Sequence, residues 1–302
     1  MTDIDFTGVF PAITTPFDAD ESIDHEALAE DVRRLEAAGV AGIVPAGSTG
    51  ESATLTHDEH IEVVETVVDA VDDVPVIAGS GSNSTHEALD LSRRAADAGA
   101  DGLLLISPYY NKPEQAGLRE HFRAIADAVD LPQIVYNVPS RTGQNVEPGT
   151  VADLASHENI QAYKAASGDI AQISQVIEYT RDEDFAVLSG DDALTLSICA
   201  LGGRGVVSVA GNVEPERMAE LVDAAVAGEM ERARELHFEL SPLFRQIFVE
   251  TNPIPIKAAM AIRGYGPERL RSPLTDLSEP HREKLERILD ELEAGREPTE
   301  AV

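Results

Sequence analysis

The sequence predicts an α/β protein: a (β/α)8 TIM barrel followed by a C-terminal helical extension. Short β-rich runs alternate with longer amphipathic runs eight times in succession. The chain has 302 residues, room for a barrel of ~250 residues and an extension. No Gly-x-Gly-x-x-Gly fingerprint follows the first strand, and an open doubly wound sheet seldom repeats its unit so regularly.

The predicted strands are Val9–Thr14, Gly42–Ala46, Pro75–Gly79, Gly102–Ser107, Gln133–Tyr136, Ile160–Ala165, Ala186–Ser189 and Gly205–Val209. The spacing predicts helices over Asp24–Ala38, Thr56–Val71, Ser84–Ala98, Pro113–Ala128, Glu147–Ser156, Gly168–Tyr179, Asp191–Leu201 and Pro215–Ala227. Asp24, Thr56 and Ser84 stand where an N-cap oxygen is needed, and Gly39, Gly99 and Gly202 where a left-handed residue ends a helix. Three further helical patterns follow: Glu229–Phe248, Ile254–Arg263 and Pro280–Glu293. We therefore expect a barrel over residues 1–228, an extension packed on it over 229–295, and a polar tail over 296–302 that frays.

Hydrophobic residues make up 43% of the chain, enough for a sizeable core, and no apolar stretch is long enough to span a bilayer. The start, Met1-Thr2-Asp3-Ile4-Asp5, lacks the basic and apolar regions of a secretory signal. The single cysteine, Cys199, excludes an internal disulfide and fits a reducing cytoplasm; its apolar helical neighbours predict a core position.

Lys164 interrupts an apolar strand pattern, Ile160 to Ala166, that ends at the helix-start signal Ser167-Gly168-Asp169. Burying an ammonium costs several kcal/mol unless it is paired or loses its proton. A desolvated amine has a lowered pKa and attacks carbonyls, so Lys164 is a candidate Schiff-base residue for a keto acid. The plain alternative is a strand-end lysine paired with a carboxylate.

Barrel chemistry is expected where strands end. The loop Gly47-Ser48-Thr49-Gly50-Glu51 combines turn-permitting glycines with two hydroxyls, a pattern that suits an anion as well as an ordinary turn. Tyr109, Tyr110 and Tyr136 also end strands; a phenol near an amine shuttles protons, although such tyrosines also serve as packing. Arg141 lies in a Pro/Gly loop, where it either clamps a carboxylate or stays solvated. Asp191 and Asp192 open a helix where barrels often bind phosphate, which favours a carboxylate substrate over a phosphate ester. His57 and His60 lack the His-Glu-x-x-His spacing of zinc hydrolases, so they are expected to face a pocket or an interface. Neither a metal nor a cofactor is expected.

Together these stretches resemble the dihydrodipicolinate synthase and N-acetylneuraminate lyase family of class I aldolases. The resemblance runs from Gly8-Val9-Phe10-Pro11 to Asn252-Pro253-Ile254-Pro255 through Gly50-Glu51-Ser52-Ala53-Thr54-Leu55, Pro108-Tyr109-Tyr110-Asn111, Tyr136-Asn137-Val138-Pro139-Ser140-Arg141-Thr142-Gly143 and Leu188-Ser189-Gly190-Asp191-Asp192. It implies Lys164 as the Schiff-base residue for pyruvate, with Tyr136, Tyr110 and Ser48 as a proton relay. The amides of Ser48 and Thr49 would hold the pyruvate carboxylate, beside Gly190 and Val207. Arg141 would receive the carboxylate of L-aspartate 4-semialdehyde. It also implies a homotetramer in which Tyr110 completes a neighbour's site. An inhibitory L-lysine would bind at Ser52, Ala53, His57, His60, Asn83, Glu87 and Tyr109.

Two departures from the family pattern keep a second acceptor open: Ser48 where threonine is frequent, and Ala165-Ala166 where Glu-Ala is frequent. That acceptor is a 2-keto-3-deoxy sugar acid or N-acetylneuraminate. Arg141 weighs against it, because a sugar acid needs hydroxyl contacts more than a carboxylate fork. A non-catalytic paralogue that binds keto or amino acids is the reading of another class; Lys164, Tyr110, Tyr136 and Arg141 together speak against it.

Asp and Glu number 55 against 23 Lys and Arg, a net charge of −32. Such a surface repels nucleic acid and acidic membranes. The acids are dispersed between apolar segments, so the chain folds, and its self-repulsion calls for screening over the few ångströms that molar salt provides. The unfolding temperature is expected to fall as salt is lowered from molar to dilute. A thermal melt at each concentration tests this, and an unchanged midpoint refutes it.

Overall fold

The computed structural model describes residues 4–295. The frayed tail expected over 296–302 lies outside the described residues, as do the first three residues of the N-terminal segment judged not to be a signal. Seven strands are found among the described residues: β1 (Gly8–Pro11), β2 (Ile77–Gly79), β3 (Gly102–Ile106), β4 (Gln133–Asn137), β5 (Ile160–Ala165), β6 (Ala186–Ser189) and β7 (Gly205–Ser208). All pair in parallel, in the order β1-β7-β6-β5-β4-β3-β2.

The two ends of this sheet meet across residues 41–46. On one side Ala41 N–H donates to Val9 O (2.8 Å) and Val44 N–H to Pro11 O (2.9 Å). On the other, Ile43 N–H donates to Pro75 O (2.9 Å) and Ile77 N–H to Ile43 O (2.8 Å). The barrel is therefore closed, with residues 41–46 in the second of eight strand positions. The predicted strand Gly42–Ala46 is reduced there to isolated bridges at Ile43 and Val44. Pro45 has no N–H to give, and Ala46, at φ +53°, turns the chain out of the strand.

Alternation along the strands separates two cores. Leu104, Ile134, Ala162, Ala186 and Val207 fill the barrel interior. Leu103, Leu105, Val135, Tyr163 and Val187 face outward into the helices. These helices are α1 (His25–Ala37), α2 (His57–Ala70), α3 (Thr85–Asp97), α4 (Gln115–Ala126), a short α5 (Pro139–Thr142), α6 (Pro148–Ala155), α7 (Ile170–Thr180), α8 (Thr195–Ala200) and α9 (Pro215–Val226). The expected N-caps form: Asp24, Thr56 and Ser84 accept from the amides of Ala27, Glu59 and Glu87, and Glu59 completes a capping box. Gly39 and Gly99 carry the positive φ expected after their helices.

The predicted helix Asp191–Leu201 divides into a 3-10 turn, Asp192–Leu194, and α8, because Asp192 turns inward. Cys199 is buried and its thiol is pushed up to about 12, as a core residue requires. Three more helices, α10 (Met230–Gln246), α11 (Ile254–Ile262) and α12 (Glu279–Ala294), share one apolar cluster with Val9, Val206 and α9. No helix among the described residues is long and apolar enough to cross a membrane.

Candidate active site

Strand register assembles the site. Tyr136 on β4, Lys164 on β5 and Leu188 on β6 are direct neighbours across the sheet, so all three point to the same side, into the barrel. Lys164 is 6% exposed, and its Nζ lies 4.1 Å from the centroid of the Tyr136 ring. Gly190 makes room for the lysine stem: a Cβ there would sit 3.0 Å from Lys164 Cγ and 3.1 Å from Cε. Burial lowers the Lys164 pKa to about 7, opposed by the Asp192 carboxylate and assisted by the Arg141 guanidinium. Burial also raises the Tyr136 phenol to about 12, so it is protonated at neutral pH and able to donate.

Asp192 is itself buried and accepts from the Ser208 hydroxyl and the amides of Val209 and Ala210. Those amides would otherwise form an anion site beyond β6 and β7, so the expectation that these acids exclude a phosphate has a structural basis. Asp191 caps the same turn by accepting from Ala193 N–H.

A cavity of about 630 Å3 opens above Lys164. Its walls include Ser48, Thr49, Tyr136, Arg141, Lys164 and Gly190, so six of the eight proposed catalytic and substrate residues converge. The other two do not. Tyr110 is 87% exposed and absent from the wall, and Val207 packs inside the barrel while Val209, at the end of β7, lines the cavity. The Arg141 loop forms α5 instead of remaining irregular, because Pro139 starts a turn that Gly143 ends at φ +70°.

A second cavity of about 680 Å3 adjoins the first, sharing Ser48, Tyr136, Arg141 and Asn252. Ser52, Ala53, His57, His60, Glu87 and Tyr109 line it. Asn83 does not; its carbonyl accepts from Asn111 Nδ2. His57 Nε2 lies 3.1 Å from Glu87 Oε1, and the buried His60 ring donates to Gly79 O. Both histidines therefore face a pocket, as their spacing suggested. Among the described residues no group of three or more His, Cys, Asp or Glu could hold a metal ion.

Sequence reasoning missed two supports of the site. Glu51, at φ +55°, forms a buried ion pair with Lys257 beneath the Gly47–Gly50 loop. Asn252 donates from Nδ2 to Thr49 Oγ1 (2.9 Å), and its main-chain oxygen accepts from Arg141 Nη2 (3.0 Å). An available signal was Asn252-Pro253 itself, a polar residue fixed ahead of two prolines in an otherwise apolar helix start.

With this geometry established, the chain matches the dihydrodipicolinate synthetase family over residues 5–292. The chain belongs to that family. It is 69% identical over 293 residues to 4-hydroxy-tetrahydrodipicolinate synthase of Haloarcula marismortui, covering 97% of this chain and 96% of the relative. Dihydrodipicolinate synthase of Acinetobacter baumannii, solved in complex with pyruvate, superposes with a TM-score of 0.93 at 39% identity, covering 96% and 99% of the two chains. The enzyme of Cyanidioschyzon merolae, solved with lysine bound, gives 0.92 at 42% identity, covering 95% and 98%.

The lowered lysine pKa has two consequences of known sign. An amine titrating near 7 is mostly neutral at pH 8 and mostly protonated at pH 6, so capture of a ketone should quicken about tenfold between them. Between about pH 7 and 10.5 the unfolded lysine binds a proton that the folded one lacks. Its contribution to stability is therefore lost as pH falls through that window. Borohydride trapping rates against pH test the first point. Lys164→Met, expected to flatten the stability profile over that window, tests the second.

Proposed function

We propose that the chain is a 4-hydroxy-tetrahydrodipicolinate synthase, a lyase that condenses pyruvate with L-aspartate 4-semialdehyde on a lysine Schiff base. The observation that carries this reading is a buried lysine with a lowered pKa beside a protonated tyrosine, in a cavity whose wall holds an arginine.

Neutral Lys164 Nζ attacks C2 of pyruvate, and the resulting carbinolamine loses water to give an iminium. The Tyr136 phenol supplies a proton to the departing hydroxyl. The iminium draws electrons from the methyl group, which loses a proton and leaves an enamine. The enamine carbon attacks the aldehyde, whose oxygen takes up a proton and stays as the hydroxyl. The substrate's amino group then displaces Lys164 at C2, closing the ring and freeing the amine. One water is released overall.

The loop of Ser48 and Thr49, on the opposite wall, is placed to receive the pyruvate carboxylate. Arg141 suits a carboxylate-bearing acceptor better than a polyhydroxylated sugar. Tyr110 reaches solvent from a left-handed backbone, φ +68°, which a bulky residue rarely adopts without a reason. This supports a place for its phenol in a neighbouring subunit's relay, within a homotetramer. The second cavity suits L-lysine, whose ammonium group would meet Glu87 beside His57.

Lys164→Ala should abolish turnover, and borohydride with pyruvate should add a covalent mass to Lys164 in the parent enzyme alone. Tyr136→Phe should lower kcat by about 10²–10⁴-fold. Turnover surviving Lys164→Ala would sink the mechanism. Millimolar L-lysine should inhibit, and Glu87→Gln should weaken that inhibition. A coupled assay with and without lysine decides, and an unchanged parent rate removes the regulatory reading.

A further inference from the structure

Asn252 is 6% exposed and stands where the two cavities meet. Its side-chain nitrogen is committed to Thr49 Oγ1 and its main-chain oxygen to Arg141. Its side-chain oxygen, Oδ1, is buried and meets no donor in the protein. A buried carbonyl oxygen left unpaired costs roughly 1–3 kcal/mol, so such an atom in a cavity wall marks where a ligand's donor belongs. The acids of the same wall are engaged elsewhere. Glu250 Oε1 accepts from the amide and hydroxyl of Ser278 and meets the His281 ring, and Asp191 Oδ1 caps Ala193 N–H.

We propose that Asn252 Oδ1 accepts a hydrogen bond from the amino group of the acceptor aldehyde, making Asn252 the residue that selects an α-amino aldehyde over its des-amino analogue. This rests on the reading that Arg141 takes the acceptor's carboxylate. In an α-amino acid the carboxylate and the amino nitrogen share one carbon. A carboxylate on the outer guanidinium face brings the amino group alongside the residue that holds the guanidinium, since Arg141 Nη2 is 3.0 Å from Asn252 O. An uncharged acceptor also suits the chemistry. The amino group must later give up its proton and displace Lys164, which a carboxylate in that place would resist.

The test compares KM for L-aspartate 4-semialdehyde at saturating pyruvate with the inhibition constant of 4-oxobutanoate, the same aldehyde acid without the amino group. Asn252→Leu should raise the KM about tenfold or more and leave the inhibition constant within about twofold, as expected for one lost hydrogen bond to a charged donor. Asn252→Asp, which keeps an acceptor, should restore most of the KM while lowering kcat. Borohydride trapping of pyruvate should proceed in both variants, which shows that they are folded. If Asn252→Leu does not fold, Asn252→Ala carries the same comparison. The proposal is overturned if KM and the inhibition constant rise together, if neither moves, if Asn252→Asp is worse than Asn252→Leu in KM, or if Asp191→Asn alone removes the discrimination. Arg141→Ala separates the two levels. It should raise both constants; if it raises neither, the carboxylate placement fails, whereas both rising with no selective effect at Asn252 defeats this inference alone.

Discussion

An amine kept from water without a close counter-charge is the constraint around which this site is built. The chain contains an internal comparison. Lys257 is buried as deeply as Lys164, yet it pairs with Glu51 and donates to Arg269 O (2.7 Å), and its pKa falls only to about 8. Lys164 has an aromatic face and, in Asp192, a carboxylate already engaged by a hydroxyl and two amides. Desolvation acts on both lysines, and the partner decides the outcome. The paired lysine stays charged at neutral pH and anchors a loop; the other becomes a nucleophile.

The barrel makes that arrangement available without strain at the lysine itself. Parallel register places Tyr136, Lys164 and Leu188 in one interior layer, one level above Ile134, Ala162 and Ala186. The lower layer is packed and dry, and the upper one opens into the cavity. A nucleophile at that boundary is desolvated from below and reachable from above. Gly190 is part of the same geometry, since any side chain there would compete with the lysine stem for space.

Much of this was legible in the sequence because it is local. Caps, strand runs and the lysine that breaks an apolar pattern lie within a few residues of their causes. The weaker expectations depended on distance or on another chain. Residues 41–46 read as a strand, but Pro45 and the turn at Ala46 leave only enough pairing to close the barrel. Val207 and Val209 alternate between interior and rim, a difference that rests on where β7 ends. Asn252 reaches Thr49 across 203 residues and Lys257 reaches Glu51 across a similar span, and no periodicity announces such pairs.

The surface and the site make opposite electrostatic demands. A net charge of −32 repels an anionic keto acid during approach. At the rim, Arg141 and the Gly47–Gly50 loop offer local attraction that acts only over the last few ångströms. Molar salt, with a Debye length of about 3 Å, erases the long-range repulsion and leaves contacts at hydrogen-bond distance largely intact. Salt that relieves the self-repulsion of the folded chain therefore also admits its anionic substrates. A surface this acidic is compatible with anion chemistry because the two effects operate at different ranges.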